Sequence, residues 1–162
     1  MSLALLVARL IIGFGLAAHG AQKLFGWYGG YGTKGTGEFM ASLGWSAGVP
    51  MAVIAGTGEF AGGLLTGFGL FGPIGPALII AVMITAVITV HLSNGWFATK
   101  NGVEFPLTVA AGALVIAFTG PGRFSLDGLF GFGSGWSDQA TWLAVLAGVI
   151  GGTGAAMIRK KP

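Results

Sequence analysis

Five apolar segments follow one another along the chain, separated by stretches rich in glycine and polar residues. They lie at residues 3–24, 50–70, 76–92, 105–119 and 139–158. A helix of about 20 residues, rising about 1.5 Å per residue, crosses the hydrocarbon layer of a bilayer. The fourth segment is short for a full span, whereas the other four fit one. The pattern predicts an all-α membrane protein whose segments form a bundle.

Glycines four residues apart recur within the second and fifth segments. The pairs are Gly58 and Gly62, Gly63 and Gly67, and Gly148 and Gly152. Small residues let the backbones of neighbouring membrane helices approach closely. We therefore expect the second segment to pack closely on two faces. We expect the pair in the fifth segment to offer a surface to another subunit.

The composition excludes a surface that faces water on all sides. Of the 162 residues, 54% are hydrophobic and 8% are charged, whereas soluble domains carry about 25% charged residues. The net charge of +3 therefore does not indicate nucleic acid as a partner. The chain has no cysteine, which excludes disulfides and thiolate metal sites. We expect the first segment to be a retained helix rather than a signal peptide, because Arg9 lies inside it.

Basic residues are concentrated at one end of the predicted bundle. With five spans, the first loop, the third loop and the C-terminus share one side of the membrane. That side carries Lys23, Lys34, Lys100, Arg159, Lys160 and Lys161, against Arg123 on the other. The positive-inside rule predicts a cytoplasmic C-terminus.

Ionisable residues within the spans are the candidates for chemistry. They are Arg9, His19, Glu59 and His91. Such residues cost about 2.5–3.5 kcal/mol on insertion scales and are functional candidates by default. Helical rise predicts that His19 and His91 lie at one level, near the first loop. One stripe of the first helix carries Arg9, His19 and Lys23, and we expect Glu59 to face it.

Each of these residues also has a purely structural interpretation. Glu59 paired with Arg9 or His19 would fix the helix register as a buried ion pair. His91 would cap its helix, and Lys23 would extend to the headgroup level. A haem between His19 and His91 is geometrically conceivable but disfavoured. A metal bound by both with Glu59 is disfavoured as well, so no metal site is predicted.

Several motifs, in their order and spacing, resemble the DoxX family of small bacterial and archaeal membrane proteins. The resemblance covers residues 3–130 and lies in Arg9-Leu-Ile-Ile-Gly, His19-Gly-Ala-Gln-Lys23-Leu, Gly58-Glu59-Phe-Ala-Gly-Gly-Leu-Leu, His91 at the end of the third span, and Gly122-Arg123-Phe-Ser-Leu-Asp127.

The resemblance implies a four-helix transmembrane bundle of DoxX type over residues 1–130. Residues 131–162 are then an additional C-terminal transmembrane helix with a basic tail. It also implies a multi-pass protein of the bacterial or archaeal cytoplasmic (inner) membrane. Some members resemble the membrane subunit of a thiosulfate:quinone oxidoreductase, and others are linked to membrane complexes for thiol and oxidative stress. The positions implied by analogy are Arg9, His19, Lys23, Glu59, His91, Arg123 and Asp127.

The first functional hypothesis is a redox subunit that binds a quinone near the first loop. His19, His91 and Lys23 would donate hydrogen bonds to a quinone carbonyl, and Glu59 would relay protons. The other expected ligand-binding residues are Arg9, Trp27, Trp45 and Trp96. The expected partners are the lipid bilayer and other membrane or peripheral redox subunits, with self-association left open.

The second hypothesis is a non-catalytic subunit that anchors or stabilises a larger membrane complex. The absence of cysteine and of a clear cofactor motif favours it. Arg123 and Asp127, four residues apart in the last loop, are then expected to clamp that loop. The sequence leaves open whether the chain is an enzyme; if it is, a quinone-dependent oxidoreductase subunit is expected.

Overall fold

The computed structural model describes residues 2–132 and 136–160, and the regular structure within these ranges is helical. The helices are α1 (Leu3–Phe25), α2 (Gly32–Ser42), α3 (Gly48–Phe68), α4 (Ile74–Asn94), α5 (Glu104–Thr119), the one-turn α6 (Leu126–Leu129) and α7 (Asp138–Met157). The long helices α1, α3, α4 and α7 are apolar enough to cross a membrane, and α5 is shorter. The predicted all-α membrane fold is confirmed.

Helices α1 and α3 run antiparallel with their backbones in contact. A methyl group on Gly63 would lie 2.5 Å from the Gly13 carbonyl oxygen, and one on Gly20 would lie 2.7 Å from the Gly56 carbonyl oxygen. Such distances leave no room for any side chain. Glycine at these positions therefore fixes the register of the two helices.

The opposite face of α3 packs against α4. A methyl group on Gly62 would lie 3.2 Å from the Gly75 carbonyl oxygen, and one on Gly58 would lie 2.7 Å from a methyl of Val82. Gly63 and Gly67, four residues apart on α3, lie against α1 instead. The expectation that α3 packs closely on two faces is confirmed.

Helix α4 is the central helix of the bundle. It contacts α3, α5 and α7. Its buried side chains Ile79, Ile80 and Met83 form an apolar core with residues of α1, α5 and α7. These residues are Leu16, Ala113, Ala117 and Val145. The outward faces of the long helices carry exposed leucine, isoleucine and phenylalanine, which is the arrangement expected where lipid is the solvent.

The glycine pair of α7 packs inside the molecule. Gly148 and Gly152 lie against the carbonyl oxygens of Ala77 and Ala81 on α4, and a methyl group on Gly148 would lie 2.5 Å from the Ala77 oxygen. The expectation that these two glycines form a surface for another subunit is therefore wrong. The hydrophobic pattern did not show that the last helix returns to the centre of its own bundle.

Two long helices contain a wider π-helical turn. One covers Leu10–Phe14 in α1, and the other covers Val87–His91 in α4. Such turns are rare and are frequently found at functional sites. The second of them places His91 at the end of α4.

The close contact at Gly20 allows a direct test of this register. Gly20→Ala is expected to destabilise the protein by about 1–3 kcal/mol, because the added methyl group overpacks a backbone contact. Thermal unfolding in detergent measures the change.

Gly15→Ala is the matched control on the same helix. Nothing lies within 4 Å of a methyl group at Gly15, so this change should leave stability unchanged or raise it by up to about 1 kcal/mol. Equal loss of stability in both variants would contradict the register.

Candidate functional site

Lys23 and Glu59 form an ion pair at the first-loop end of the bundle. Lys23 Nζ lies 2.6 Å from Glu59 Oε2. The Glu59 side chain is only 5% exposed and that of Lys23 is 27% exposed. It is the one ion pair within residues 2–132 and 136–160. A carboxylate this deeply buried depends on its cation, because an unpaired charge is very costly in an apolar interior.

The glycine contacts of α1 and α3 bring the two charges together. Gly20 lies against Gly56 and Phe60, so that Glu59 is level with the last turns of α1. Lys23 lies on the same face one turn further on, and its long side chain extends back to the carboxylate. The ion pair follows directly from the backbone register.

A cavity of about 280 Å³ opens beside this pair, and we call it the Glu59 cavity. Its polar lining comes from α1, α3 and α4. The polar residues are His19, Lys23, Glu59, Thr85, Thr89 and His91. The rest of the wall is apolar or aromatic and includes Phe39, Trp45 and Phe105. A few polar groups in an apolar wall are typical of a small-molecule site.

The two histidines differ in their surroundings. Nδ1 of His91 donates a hydrogen bond to the Asn101 carbonyl oxygen at 2.8 Å, which leaves Nε2 for a ligand. His19 is exposed on the surface of the isolated chain, and its ring centroid lies 5.7 Å from that of Phe105. His19 therefore lies at a rim of the cavity between α1 and α5.

Trp45 closes the cavity on the side of the first loop. Its side chain is 4% exposed, and its Nε1 donates to the Ala155 carbonyl oxygen on α7 at 3.0 Å. Arg159 donates to the carbonyl oxygens of Leu43 and Thr89 at 3.3 and 3.4 Å. The end of α7 and Arg159, which follows it, are thus hydrogen-bonded to two sides of the cavity, the first loop and α4. The sequence did not indicate this role.

Comparison with known proteins supports the family resemblance that the sequence motifs indicate. The DoxX family model matches residues 4–92. The chain is also 34% identical over 130 residues to the inner membrane protein YphA of Escherichia coli (strain K12), which covers 76% of this chain and 87% of that protein.

The chain belongs to the DoxX family.

No solved structure matches the chain. The DoxX match runs from α1 to the π-turn of α4 and includes His19, Lys23, Glu59 and His91. Together with Trp45, these are the predicted site residues that the structure brings to one cavity. Their catalytic and ligand-binding roles stay predictions.

Another DoxX position, Arg9, lies at the opposite end of the bundle. Its side chain is 1% exposed, donates to the Phe124 carbonyl oxygen and lies against Gly69. The expectation that Arg9 faces Glu59 is wrong. The glycine register sets Arg9 opposite Gly69, about 15 Å further along α3 than Glu59.

Arg123 and Asp127 are not paired with each other. Asp127 is fully buried and accepts hydrogen bonds from the backbone N–H groups of Phe71 and Gly72 at 2.9 and 2.7 Å. The Arg123 guanidinium lies over the Phe124 ring. The predicted clamp is wrong because α6 begins only at Leu126, so the two side chains do not share a helix face.

Two of the three tryptophans assigned to the site lie outside it. Trp27 is 55% exposed and Trp96 is 57% exposed, and neither lines the Glu59 cavity. Trp27 instead contacts Phe25, with ring centroids 4.8 Å apart. Exposed tryptophans at a bundle end suit the membrane interface.

The ion pair can be tested by removing its cation alone and then both charges. Lys23→Ala is expected to destabilise the protein by about 3 kcal/mol, the low end of the range for breaking a buried pair, because Lys23 is partly exposed. Lys23→Ala with Glu59→Gln should recover most of this loss, since no buried charge remains. Chemical unfolding in detergent measures both.

Lys34→Ala is the control, because Lys34 is an exposed lysine on α2 and should have no effect. If the double variant is as unstable as Lys23→Ala, the loss comes from the aliphatic part of the lysine rather than from a stranded carboxylate.

Proposed function

We propose that this DoxX protein is a membrane subunit that binds a quinone headgroup in the Glu59 cavity and takes part in quinone-linked redox chemistry. The observation that carries the proposal is the Lys23–Glu59 ion pair on the wall of a mostly apolar cavity. A quinone has an apolar ring and tail with two polar carbonyl groups. It therefore needs an apolar wall with a small number of hydrogen-bond donors.

The size of the cavity supports a single-ring ligand. Pockets for small molecules measure about 300–1,000 Å³, and the Glu59 cavity at about 280 Å³ is near the lower limit. Phe105 and Trp45 provide aromatic surface for a ring. The rim at His19 opens between helices whose outer faces are apolar, so that an isoprenoid tail extends into lipid.

The polar residues provide the donors that a quinone requires. The Lys23 ammonium and the His19 imidazole donate to quinone carbonyls, and the Glu59 carboxyl group exchanges protons with the bound ring. Because Nδ1 of His91 donates to Asn101, its Nε2 accepts a hydrogen bond from a hydroxyl group of the quinol. Reduction to the quinol consumes two electrons and two protons. Because the chain has no cysteine, a thiol or thiosulfate donor passes its electrons to the quinone either directly or through a partner subunit.

Quenching of tryptophan fluorescence by a short-chain ubiquinone tests the proposal in purified protein. Trp45 is the tryptophan in the cavity wall, so the quinone should quench its emission with saturation. Glu59→Gln and His19→Ala are expected to weaken binding about 10-fold each, the effect of losing about 1.4 kcal/mol of hydrogen bonding.

Trp45→Phe should remove the saturable quenching, whereas Trp27→Phe and Trp96→Phe should keep it, since these two lie outside the cavity. Saturable quenching that persists in Trp45→Phe would place the quinone elsewhere. Reduction of quinone to quinol by the lone chain, with oxidation of a thiol donor to its disulfide, would count against the anchoring hypothesis.

We also propose that the chain lies in the inner membrane with its first-loop end in the cytoplasm. The relative YphA is named an inner membrane protein, and Lys23, Lys34, Lys100, Arg159 and Lys160 lie towards that end. Alkaline phosphatase fused to the C-terminus should then be inactive, because it folds only outside the cytoplasm. An active fusion would reverse the orientation.

A further inference from the structure

A second cavity lies next to the first, outside the spans, and we call it the loop-side cavity. It measures about 510 Å³ and is bounded by the end of α1, the glycine-rich turn that follows it and helix α2. Its lining contains five polar side chains, those of Gln22, Lys23, Tyr31, Thr36 and Glu38. Five of its nine lining residues thus have polar side chains, against six of the seventeen that line the Glu59 cavity.

Three glycines line the loop-side cavity, and two of them are closely packed against neighbouring residues. Gly29, Gly30 and Gly35 all line it. A methyl group on Gly35 would lie 2.7 Å from the Tyr31 Cβ atom, and one on Gly30 would overlap Gln22. The polypeptide at this end is thus tightly packed, and Glu38 is exposed beside the cavity.

Lys23 and Phe39 line both cavities. Glu59 lines only the Glu59 cavity, whereas the partly exposed Lys23 lines both, so the ion pair lies at the boundary between the two cavities. An ammonium group has three N–H donors. One is directed at Glu59, and within the described residues no other acceptor bonds to Lys23, so the remaining donors are available to water.

We infer that the loop-side cavity is the aqueous entrance of the Glu59 cavity and that Lys23 is the gate through which water and protons pass between them. Ionisable groups at membrane depth are found beside water-filled cavities because hydration lowers their cost. Gln22, Thr36 and Glu38 provide polar surface for a chain of water molecules. The use of this route for quinol chemistry rests on the proposed function, whereas the route itself does not.

The absence of cysteine makes single-cysteine labelling a clean test. Glu38→Cys, at an exposed position, reports on the loop-side cavity and Ala86→Cys on the Glu59 cavity. In vesicles, a charged methanethiosulfonate reagent should label Glu38→Cys quickly and Ala86→Cys slowly. Adding Lys23→Ala with Glu59→Gln should speed labelling of Ala86→Cys at least about 10-fold, because the reactive thiolate forms only where water reaches it.

Two controls define the result. Lys34→Ala should leave the rate at Ala86→Cys unchanged. Ile150→Cys, on the exposed outer face of α7, should react only with a lipophilic maleimide. If the double variant does not fold, Lys23→Gln gives the same comparison with a smaller expected increase.

The inference would be overturned if Lys23→Ala with Glu59→Gln left the labelling rate of Ala86→Cys unchanged. It would also be overturned if Lys34→Ala raised that rate equally. The labelling needs no quinone, so the two proposals fail separately. Faster labelling of Ala86→Cys without saturable quenching by quinone would contradict the proposed function but not the water route. Saturable quenching without faster labelling would contradict the water route but not the proposed function.

Discussion

The contact of the α1 and α3 backbones determines most of the structure. Lipid gives helices no hydrophobic reason to associate, so close packing between small residues provides the attraction. Gly13 and Gly20 of α1 meet Gly63 and Gly56 of α3 so closely that a one-residue slip would drive a side chain into a backbone. The positions of the charged groups then follow, with one ion pair at the first-loop end and Arg9 held at the other.

The remaining helices build the cavity on that frame. Helix α4 adds the wall from Thr85 to His91, and α5 adds Phe105. Helix α7 lies outside the DoxX match, yet its end accepts the Trp45 hydrogen bond, and Lys160 N donates to the Gly44 carbonyl oxygen at 2.9 Å. The last helix is therefore part of the cavity architecture rather than an appendage to a four-helix unit.

The sequence predicted what hydrophobic length and helical rise determine. These quantities gave the long spans, the short α5 and a common level for His19 and His91. They could not give the lateral register of α1 on α3, which depends on backbone contacts at particular glycines, and the partner of Glu59 was assigned to Arg9 or His19 instead of Lys23. Trp27 and Trp96 were misassigned because loop conformation, not span depth, sets their direction.

The π-turn at Val87–His91 has a consequence for how relatives of this chain are compared. A π-turn accommodates one residue more than the α-helical turn it replaces, so in an alignment it is a single inserted residue. Because the wider turn absorbs that residue, a relative without it would form an ordinary α-helical turn and keep its terminal histidine on the same side of the helix. A gap of one position in this part of an alignment is therefore compatible with the same cavity, and the histidines on the two sides of the gap are equivalent positions.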